Sequence, residues 1–170
     1  MFLDNQQERF VTNIPNTESS KWFISGFVDG EGSFCLNIKN RINVKYGFRI
    51  EPAFYVYQHE KNKWFLEEIM KVFGCGSIHR KTSPYSVYTY QISGINPCYE
   101  RVIPFFETYP LKTKLKAFSI FRDAIVMMKN KQHLSPKGML KLLDYSYEMN
   151  QMGKGKKWEK KELVARILRG

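Results

Sequence analysis

The sequence predicts an α+β fold in which helices back one face of an antiparallel sheet, in the order αββαββα with further helices after it. Two stretches have period-two patterning, and each contains a turn that makes it a hairpin. A helical stretch separates the hairpins, which is typical of an antiparallel sheet covered by helices. The chain has 170 residues, of which 43% are hydrophobic. We therefore expect one domain over residues 19–170, preceded by a polar, flexible arm over residues 1–18.

The first helix is expected to begin at a cap formed by Ser19 or Ser20 and to end at the glycines of residues 30–32. The first hairpin follows over residues 33–58. Its apolar residues alternate with polar ones, so the sheet should have one buried and one polar face. The apolar members of this alternation are Phe34, Leu36, Ile38, Phe48, Ile50 and Phe54.

A second helix should end at Gly74, and the second hairpin should turn at Ser83-Pro84. Asn96 is expected to cap the next helix, because Pro97 suits a first helical turn. The remaining helices are expected at residues 111–130, from residue 135 onward, and at residues 158–168.

The charge of the chain points to a polyanionic partner. Lysine and arginine number 27 against 16 acidic residues, a net charge of +11. Such an excess, interleaved with tyrosine and phenylalanine, is typical of nucleic-acid binding. No apolar run reaches the ~20 residues of a membrane span, and the first ten residues, MFLDNQQERF, do not resemble a secretory signal. The basic C-terminal segment fits either an amphipathic membrane-surface helix or a solvated helix face.

The most informative segment is ISGFVDGEG at residues 24–32, which joins a helix containing small residues to a strand. Gly26 and Gly30 are four residues apart and so lie on one helix face, where another helix could approach closely. Asp29 and Glu31 lie where the helix dipole is negative, an arrangement that a bound cation would compensate. The same residues also fit a plain helix-to-strand turn with two solvated acids.

The stretch WFISGFVDGEGSF at residues 22–34 resembles the motif of LAGLIDADG homing endonucleases. Two further segments resemble the same family: Tyr57-Gln58 followed by Trp64-Phe65-Leu66, and YPLKTK at residues 109–114. The resemblance implies a saddle-shaped sheet whose polar face lies in the DNA major groove. It also implies an intron-encoded, site-specific endonuclease that cuts both strands of double-stranded DNA, commonly of chloroplast or mitochondrial origin.

Only one copy of the motif is present, although the family needs two motif helices for one active site. The resemblance therefore implies a homodimer that acts on a long, pseudo-palindromic site. We expect the two subunits to meet through one face of the motif helix. The interface residues expected from this are Ile24, Ser25, Gly26, Asp29 and Gly30.

The resemblance implies a magnesium site in which each subunit contributes Glu31 and the Gly30 carbonyl. Hard oxygen ligands of this kind suit Mg²⁺, and two or more ions would be shared at the dimer centre. Most members of the family carry aspartate where this chain has Glu31. Asp29 matches the other motif acid, whose role in the family is structural.

Gln58 and Lys114 match residues that complete the family's active site. Gln58 would position the water network around the scissile phosphate, and Lys114 would stabilise the developing charge. Alternatively, Gln58 is a strand-end glutamine bonded to the backbone, and Lys114 anchors a phosphate as Lys112 and Lys116 would.

The chain departs from the family at Asn62, where related enzymes can carry an arginine. The basic catalytic role of that arginine would then fall to Lys61 or Lys63.

The polar face of the predicted sheet supplies the candidate DNA contacts. Arginine and lysine can contact guanine edges, asparagine and glutamine can contact adenine, and glutamate can accept from cytosine. The candidates are Asn37, Lys39, Arg41, Arg49, Glu51, Tyr55, Ser77, His79, Lys81, Thr89 and Gln91.

The expected partners are double-stranded DNA and a second copy of the chain, without a membrane or a small-molecule substrate. A different class of function is also compatible with the sequence: an RNA maturase, or a DNA-binding protein that does not cleave. The carboxylate of Glu31 favours the nuclease, because a binding protein has no need for an acid that repels phosphate.

Overall fold

The computed structural model describes residues 16–81, 86–149 and 159–169, and its elements follow the predicted order. The helices and strands are α1 (Glu18–Glu31), β1 (Gly32–Asn40), β2 (Phe48–His59), α2 (Lys63–Phe73), β3 (Ser77–Arg80), β4 (Val87–Ser93), α3 (Ile95–Pro97), α4 (Ile103–Thr108), α5 (Leu115–Lys129), α6 (Pro136–Met149) and α7 (Lys160–Arg169). A π-helical segment (Cys98–Val102) joins α3 to α4. The α+β class is confirmed.

The four strands form one antiparallel sheet in the order β1-β2-β4-β3. The central strand β2 pairs with β1 from Gly32↔Val56 to Asn40↔Phe48, and with β4 from Ala53↔Ser93 to His59↔Val87. The long β1–β2 hairpin therefore extends beyond β4 at its outer end, where it stands as a two-stranded ribbon.

The alternation predicted from the sequence separates the two faces of the sheet. Phe34, Leu36 and Phe54 are buried under the helices, whereas Lys39 and Arg49 are exposed on the opposite face. Because successive side chains of a strand point to opposite sides, the pattern of residue types alone decides which face is buried.

Aromatic side chains form the centre of the core between the sheet and the helices. The rings of Phe34 and Phe54 stack at 5.4 Å between centroids, and Phe34 also contacts Phe121 of α5 at 5.2 Å. Phe106 of α4 packs edge-on against Phe34 at 5.5 Å. Burying each such ring stabilises the fold by about 1.5–3 kcal/mol, which holds the sheet firmly on its helical layer.

The edge strand β1 is covered from the side by α6. The buried hydroxyl of Ser146 donates to the Leu36 carbonyl at 2.7 Å, so a helix side chain satisfies a backbone acceptor of the edge. The opposite edge, β3, is only four residues long.

Helix α1 begins one residue inside the predicted arm, at Glu18, and residues 1–15 lie outside the described residues. Its cap is Thr17, whose side chain accepts from the Ser20 N–H at 3.3 Å, so the prediction of Ser19 or Ser20 is wrong. The serines lie two and three positions beyond Thr17, already inside the helix, whereas a capping side chain precedes the helix and binds an amide two or three residues ahead.

Two other helix starts also differ from the prediction. The helical segment after β4 already includes Ile95 and follows Gly94, and Asn96 does not cap it but accepts from the Lys129 ammonium at 2.8 Å. Helix α5 begins at Leu115 rather than at Leu111, because Asp29 binds the segment before it. The predicted turn at residues 83–84 lies outside the described residues.

The last helix is α7, which begins two residues later than predicted. Its buried residues are Leu163 and Ile167. None of the helices within the described ranges combines the length and apolar character that crossing a bilayer requires.

Candidate active site and nucleic-acid interface

The chain passes from α1 to β1 within a single residue, Gly32, and this places Glu31 at the junction. Gly32 has an extended backbone, and its N–H bonds the Val28 carbonyl. A Cβ at Gly32 would lie 2.5 Å from Cγ1 of Val28 and 2.7 Å from its carbonyl oxygen, so only glycine fits here. The side chain of Glu31 is exposed at the end of the sheet where β1 begins, which we call the inner end.

Asp29 binds the chain just before α5. Its Oδ2 accepts from the Thr113 N–H at 2.9 Å, and its Oδ1 accepts from the Lys114 N–H at 3.0 Å. Partial burial raises the pKa of this carboxyl, but the hydrogen bonds from Thr113 and Lys114 outweigh it and leave the pKa of Asp29 below its usual value. Asp29 therefore caps a helix other than its own, which is a structural role.

Lys114 in turn binds the C-terminal end of α1. Its ammonium donates to the Asp29 carbonyl and, at 2.8 Å, to the Gly30 carbonyl. The last carbonyls of a helix lack intrahelical partners and attract cations. Lys114 thus lies beside Glu31 in the chain's fold and bonds the carbonyl that the sequence predicts as a metal ligand.

The oxygen atoms at this junction are the kind that Mg²⁺ accepts. The Glu31 carboxylate is exposed, and no ion pair with it occurs among the residues described here. Within those same residues, no three histidine, cysteine, aspartate or glutamate side chains cluster to hold a metal.

Gln58 lies at the same end of the sheet as Glu31. Val56 pairs with Gly32, and β2 continues two residues past that pair to Gln58. The Gln58 side chain accepts from the His59 N–H at 2.8 Å through Oε1, and its amide N–H groups have no partner among the described residues.

The two lysines that flank Asn62 differ in their contacts. The ammonium of Lys63 pairs with Glu67 at 3.0 Å and lies 5.5 Å from the centre of the Tyr88 ring. The Glu67 carboxylate raises the pKa of Lys63. Lys61 is exposed, and no ion pair involves it in the part of the chain that the structure describes. Lys61 is thus the more available cation.

The predicted pairing face of α1 is partly wrong. Ile24 is 0% exposed and Ser25 is 2% exposed, and the Ser25 hydroxyl donates to the Tyr109 carbonyl at 2.8 Å. Both side chains therefore pack inside their own chain, because this stripe of α1 faces its core.

A different stripe of α1 is open to solvent. Trp22 is 48% exposed and Phe23 is 59% exposed. A Cβ at Gly26 or Gly30 would have no atom of residues 16–81, 86–149 or 159–169 within 4 Å, apart from its own neighbours in the helix. We name Trp22, Phe23, Gly26 and Gly30 the open stripe of α1.

The strand register brings most of the predicted DNA contacts onto one face. Asn37 faces Glu51, Lys39 faces Arg49, and residues opposite one another in antiparallel strands share a face. The same register places Tyr55, Ser77, His79, Thr89 and Gln91 on this face. We name it the polar face of the sheet.

The remaining candidates lie outside the strands. Arg41 and Lys81 are exposed just after β1 and β3, and Lys112 is exposed before α5. Lys116 is not brought to the polar face, since its ammonium pairs with Glu148 of α6 at 3.0 Å.

The sequence prediction missed Tyr57 and the small residues Ser33 and Cys35 on the polar face. The Tyr57 ring stacks on Tyr55 at 6.2 Å, and the Lys81 ammonium lies 5.4 Å from its centre. Burial raises the pKa of both tyrosines. The signal was available, because Tyr57 continues the period-two alternation that contains Tyr55.

The chain is similar to known endonucleases along most of its length. A family model described as LAGLIDADG endonuclease matches residues 24–125. The chain is 30% identical to a probable intron-encoded endonuclease 3 of Neurospora crassa over 85% of its own length and 27% of that protein. It is 28% identical to DNA endonuclease I-CeuI of Chlamydomonas moewusii over 72% of this chain and 58% of that protein. The chain thus spans between about a quarter and three fifths of these relatives.

Among solved structures, the chain is similar to the archaeal intron-encoded homing endonuclease I-Vdi141I in complex with DNA. The TM-score is 0.80 at 29% identity, with 89% of this chain and 96% of that chain covered. The fold is thus shared with that protein.

Proposed function

Because the chain belongs to the LAGLIDADG endonuclease family, we propose that it is a site-specific endonuclease that hydrolyses both strands of double-stranded DNA. The observation that carries the proposal is the exposed Glu31 at the inner end of the polar face, next to the Gly30 carbonyl that the Lys114 ammonium contacts. The intron-encoded relatives further support an origin in an intron, which we place in an organelle genome.

The proposed assembly is a homodimer whose subunits meet through the open stripe of α1. Exposed aromatic side chains beside glycines with no neighbours form a surface that a second helix can approach closely. The contact would be isologous, with the same stripe on both subunits. Since Gly30 belongs to this stripe, pairing would bring the two Glu31 carboxylates to a shared centre.

The Glu31 carboxylate and the Gly30 carbonyl would hold Mg²⁺ in this proposal. When bound, the ion neutralises phosphate charge and lowers the pKa of bound water.

The other residues at the junction act on the phosphate and on water. Lys114 supplies a fixed positive charge for the charge that develops on the phosphate, and Asp29 holds the backbone of Lys114 in place. The free amide N–H groups of Gln58 orient water at the same end of the sheet. Lys61 is the candidate for the role of the arginine that is absent at Asn62.

The polar face would lie in the major groove, which admits a two-stranded ribbon. Strand β1 has nine residues, and at ~3.3 Å per residue it spans ~30 Å. With base pairs ~3.4 Å apart, one subunit covers about eight or nine of them. Two subunits would then recognise a long pseudo-palindromic site.

The substitution Glu31→Gln tests the proposal. It keeps the shape of the side chain but removes the charge that the metal requires. We expect cleavage in Mg²⁺ to fall about a thousandfold or more, while binding to the selected site changes by only a few fold. Cleavage is measured on DNA recovered from a randomised library by sequencing the cut ends.

A matched control is Glu107→Gln, which changes an exposed glutamate of α4 that lies 4.0 Å from Arg122. This variant should cut as the parent chain does. Cleavage that survives in Glu31→Gln, or a parent chain that binds DNA but never cuts it, would contradict the proposed nuclease.

A further inference from the structure

Two contacts between side chains of the polar face are present before any ligand is bound. Arg49 contacts Glu51, and Asn37 contacts Tyr55. Asn37 and Glu51 are directly opposite in the register, and Lys39 and Arg49 form the next pair on this face. These residues lie on the β1–β2 ribbon beyond its pairing with β4, which ends at Ala53. In the proposed complex, this ribbon occupies the groove away from the cleavage centre.

The first contact is the ion pair between Nη2 of Arg49 and Oε1 of Glu51. The Arg49 side chain is 51% exposed and that of Glu51 is 30% exposed, so the guanidinium is the outer partner. An arginine has five N–H donors in a planar fork, so an ion pair through Nη2 leaves enough donors for a guanine edge. The carboxylate that could have accepted from cytosine is instead used to orient Arg49.

The second contact is the hydrogen bond from Nδ2 of Asn37 to the hydroxyl of Tyr55 at 3.2 Å. An asparagine amide has two N–H donors and one carbonyl oxygen. Because Tyr55 takes one donor, one donor and the oxygen remain, which is the pair that binds N7 and N6 of adenine. The bond also fixes which end of the amide points away from Tyr55.

The distance between these pairs sets a spacing on the DNA. Arg49 lies two residues from Glu51 along β2, and Glu51 is opposite Asn37. Two residues of a strand span ~6.6 Å, close to two base-pair steps of ~3.4 Å each.

We propose that Arg49 reads a guanine and Asn37 reads an adenine about two base pairs closer to the centre, with Glu51 and Tyr55 as positioning residues. The inference rests on the proposed docking of duplex DNA on the polar face. It specifies the substrate class further: each half-site contains this purine pair, in mirror-related positions.

The test selects bound duplexes from a randomised library without divalent cation, so that it does not depend on cleavage, and repeats the selection on cut ends in Mg²⁺. The parent profile should show the guanine and the adenine, each preferred roughly tenfold or more over other bases. Arg49→Ala should abolish only the guanine preference, and Asn37→Ala only the adenine preference.

The positioning residues have their own signatures. Glu51→Gln should reduce the guanine preference several fold and leave the adenine preference unchanged. Tyr55→Phe should reduce the adenine preference several fold and leave the guanine preference unchanged. A matched control is Glu67→Gln, which removes the charge from a surface ion pair with Lys63 away from the polar face and should leave the profile unchanged. Thermal unfolding of each variant separates loss of orientation from loss of fold.

The outcomes distinguish this inference from the proposed function. The purine pair in bound DNA without any cutting would support the inference and contradict the nuclease. If the parent chain cuts DNA but Arg49→Ala leaves every base preference intact, the inference is overturned while the proposed nuclease stands. A library with no enriched sequence would overturn both.

Discussion

Asp29 and Lys114 cap each other's helices, although 85 positions separate them in the chain. The Asp29 carboxylate binds the free amides before α5, and the Lys114 ammonium binds the free carbonyls at the end of α1. Each helix end has polar groups without intrahelical partners, so one pair of residues satisfies both ends. The exchange also holds Lys114 next to Glu31, and this links the stability of the junction to its proposed chemistry.

The capping by Asp29 should make stability depend on pH. Its folded pKa is lowered, so its stabilisation is complete above the unfolded value of about 3.9 and is lost as pH falls through the folded value. Asp29→Asn, which loses one accepted bond and the charge, should cost about 1 kcal/mol near neutral pH. The difference from the parent chain should shrink below about pH 4.

Urea unfolding of both proteins between neutral and acidic pH measures this difference. The comparison variant is Asp123→Asn, an exposed aspartate of α5 whose contact is its neighbour Arg122. A difference for Asp29→Asn that does not change with pH would show that the carboxylate charge does not contribute to the cap.

Different faces of helix α1 have different roles. Ile24, Ser25 and Val28 pack into the chain's own core. The C-terminal end presents Glu31, and the open stripe faces solvent. A glycine in place of alanine costs a helix interior about 1 kcal/mol. The proposed close approach of another helix would account for the two glycines of the stripe.

Gly26→Leu should separate folding from assembly. A Cβ at Gly26 meets no atom of the described residues within 4 Å, so the fold should be retained and the helix even stabilised by about 1 kcal/mol. The new side chain would hold two open stripes apart. We expect a dimeric mass for the parent chain bound to its duplex and loss of that dimer in the variant, as measured by light scattering.

Asp123→Leu adds the same apolar bulk to an exposed position of α5 and should leave the mass unchanged. A parent chain that is monomeric on its duplex, or a Gly26→Leu variant that still dimerises, would rule out the open stripe as the seam.

The whole molecule carries a net charge of +11, and its cations are distributed over both the polar face and the helical layer. Lys39, Arg41 and Arg49 are exposed on or beside the polar face, while Lys116 and Lys160 pair with acids on the helices. The exposed cations at the polar face, of which Arg49 also pairs with Glu51, are the part available to phosphates. Binding to DNA should therefore weaken steeply with salt.

Lys112→Gln tests whether the segment before α5 contacts the DNA backbone. Removing one phosphate contact per subunit should lower the slope of log K against log salt by about 0.9 per subunit. The preference among bases should not change, because phosphate contacts carry no sequence information. Lys141→Gln on α6, an exposed lysine over the Tyr145 ring, should leave the slope unaltered.

The sequence by itself determined the features that depend on neighbouring residues. The pleat of a strand alternates side chains strictly, so Leu36 and Asn37 could be assigned to opposite faces without any structure. Gly74 ends α2 in a left-handed conformation that glycine adopts without strain, and this too was predictable from the chain. The family motif likewise marked Glu31 as the candidate metal ligand from its adjacent residues, and this remains a prediction.

The tertiary structure decided what depends on contacts between distant segments. Two such contacts join residues more than 80 positions apart. The buried Ser25 hydroxyl donates to the Tyr109 carbonyl, and the Asp29 carboxylate accepts from the Lys114 N–H. Helical periodicity shows that a helix has an apolar stripe, but not which stripe packs inside the chain and which remains for a partner. That choice follows from the free energy of burying each stripe against the rest of the fold, which no local pattern of residues contains.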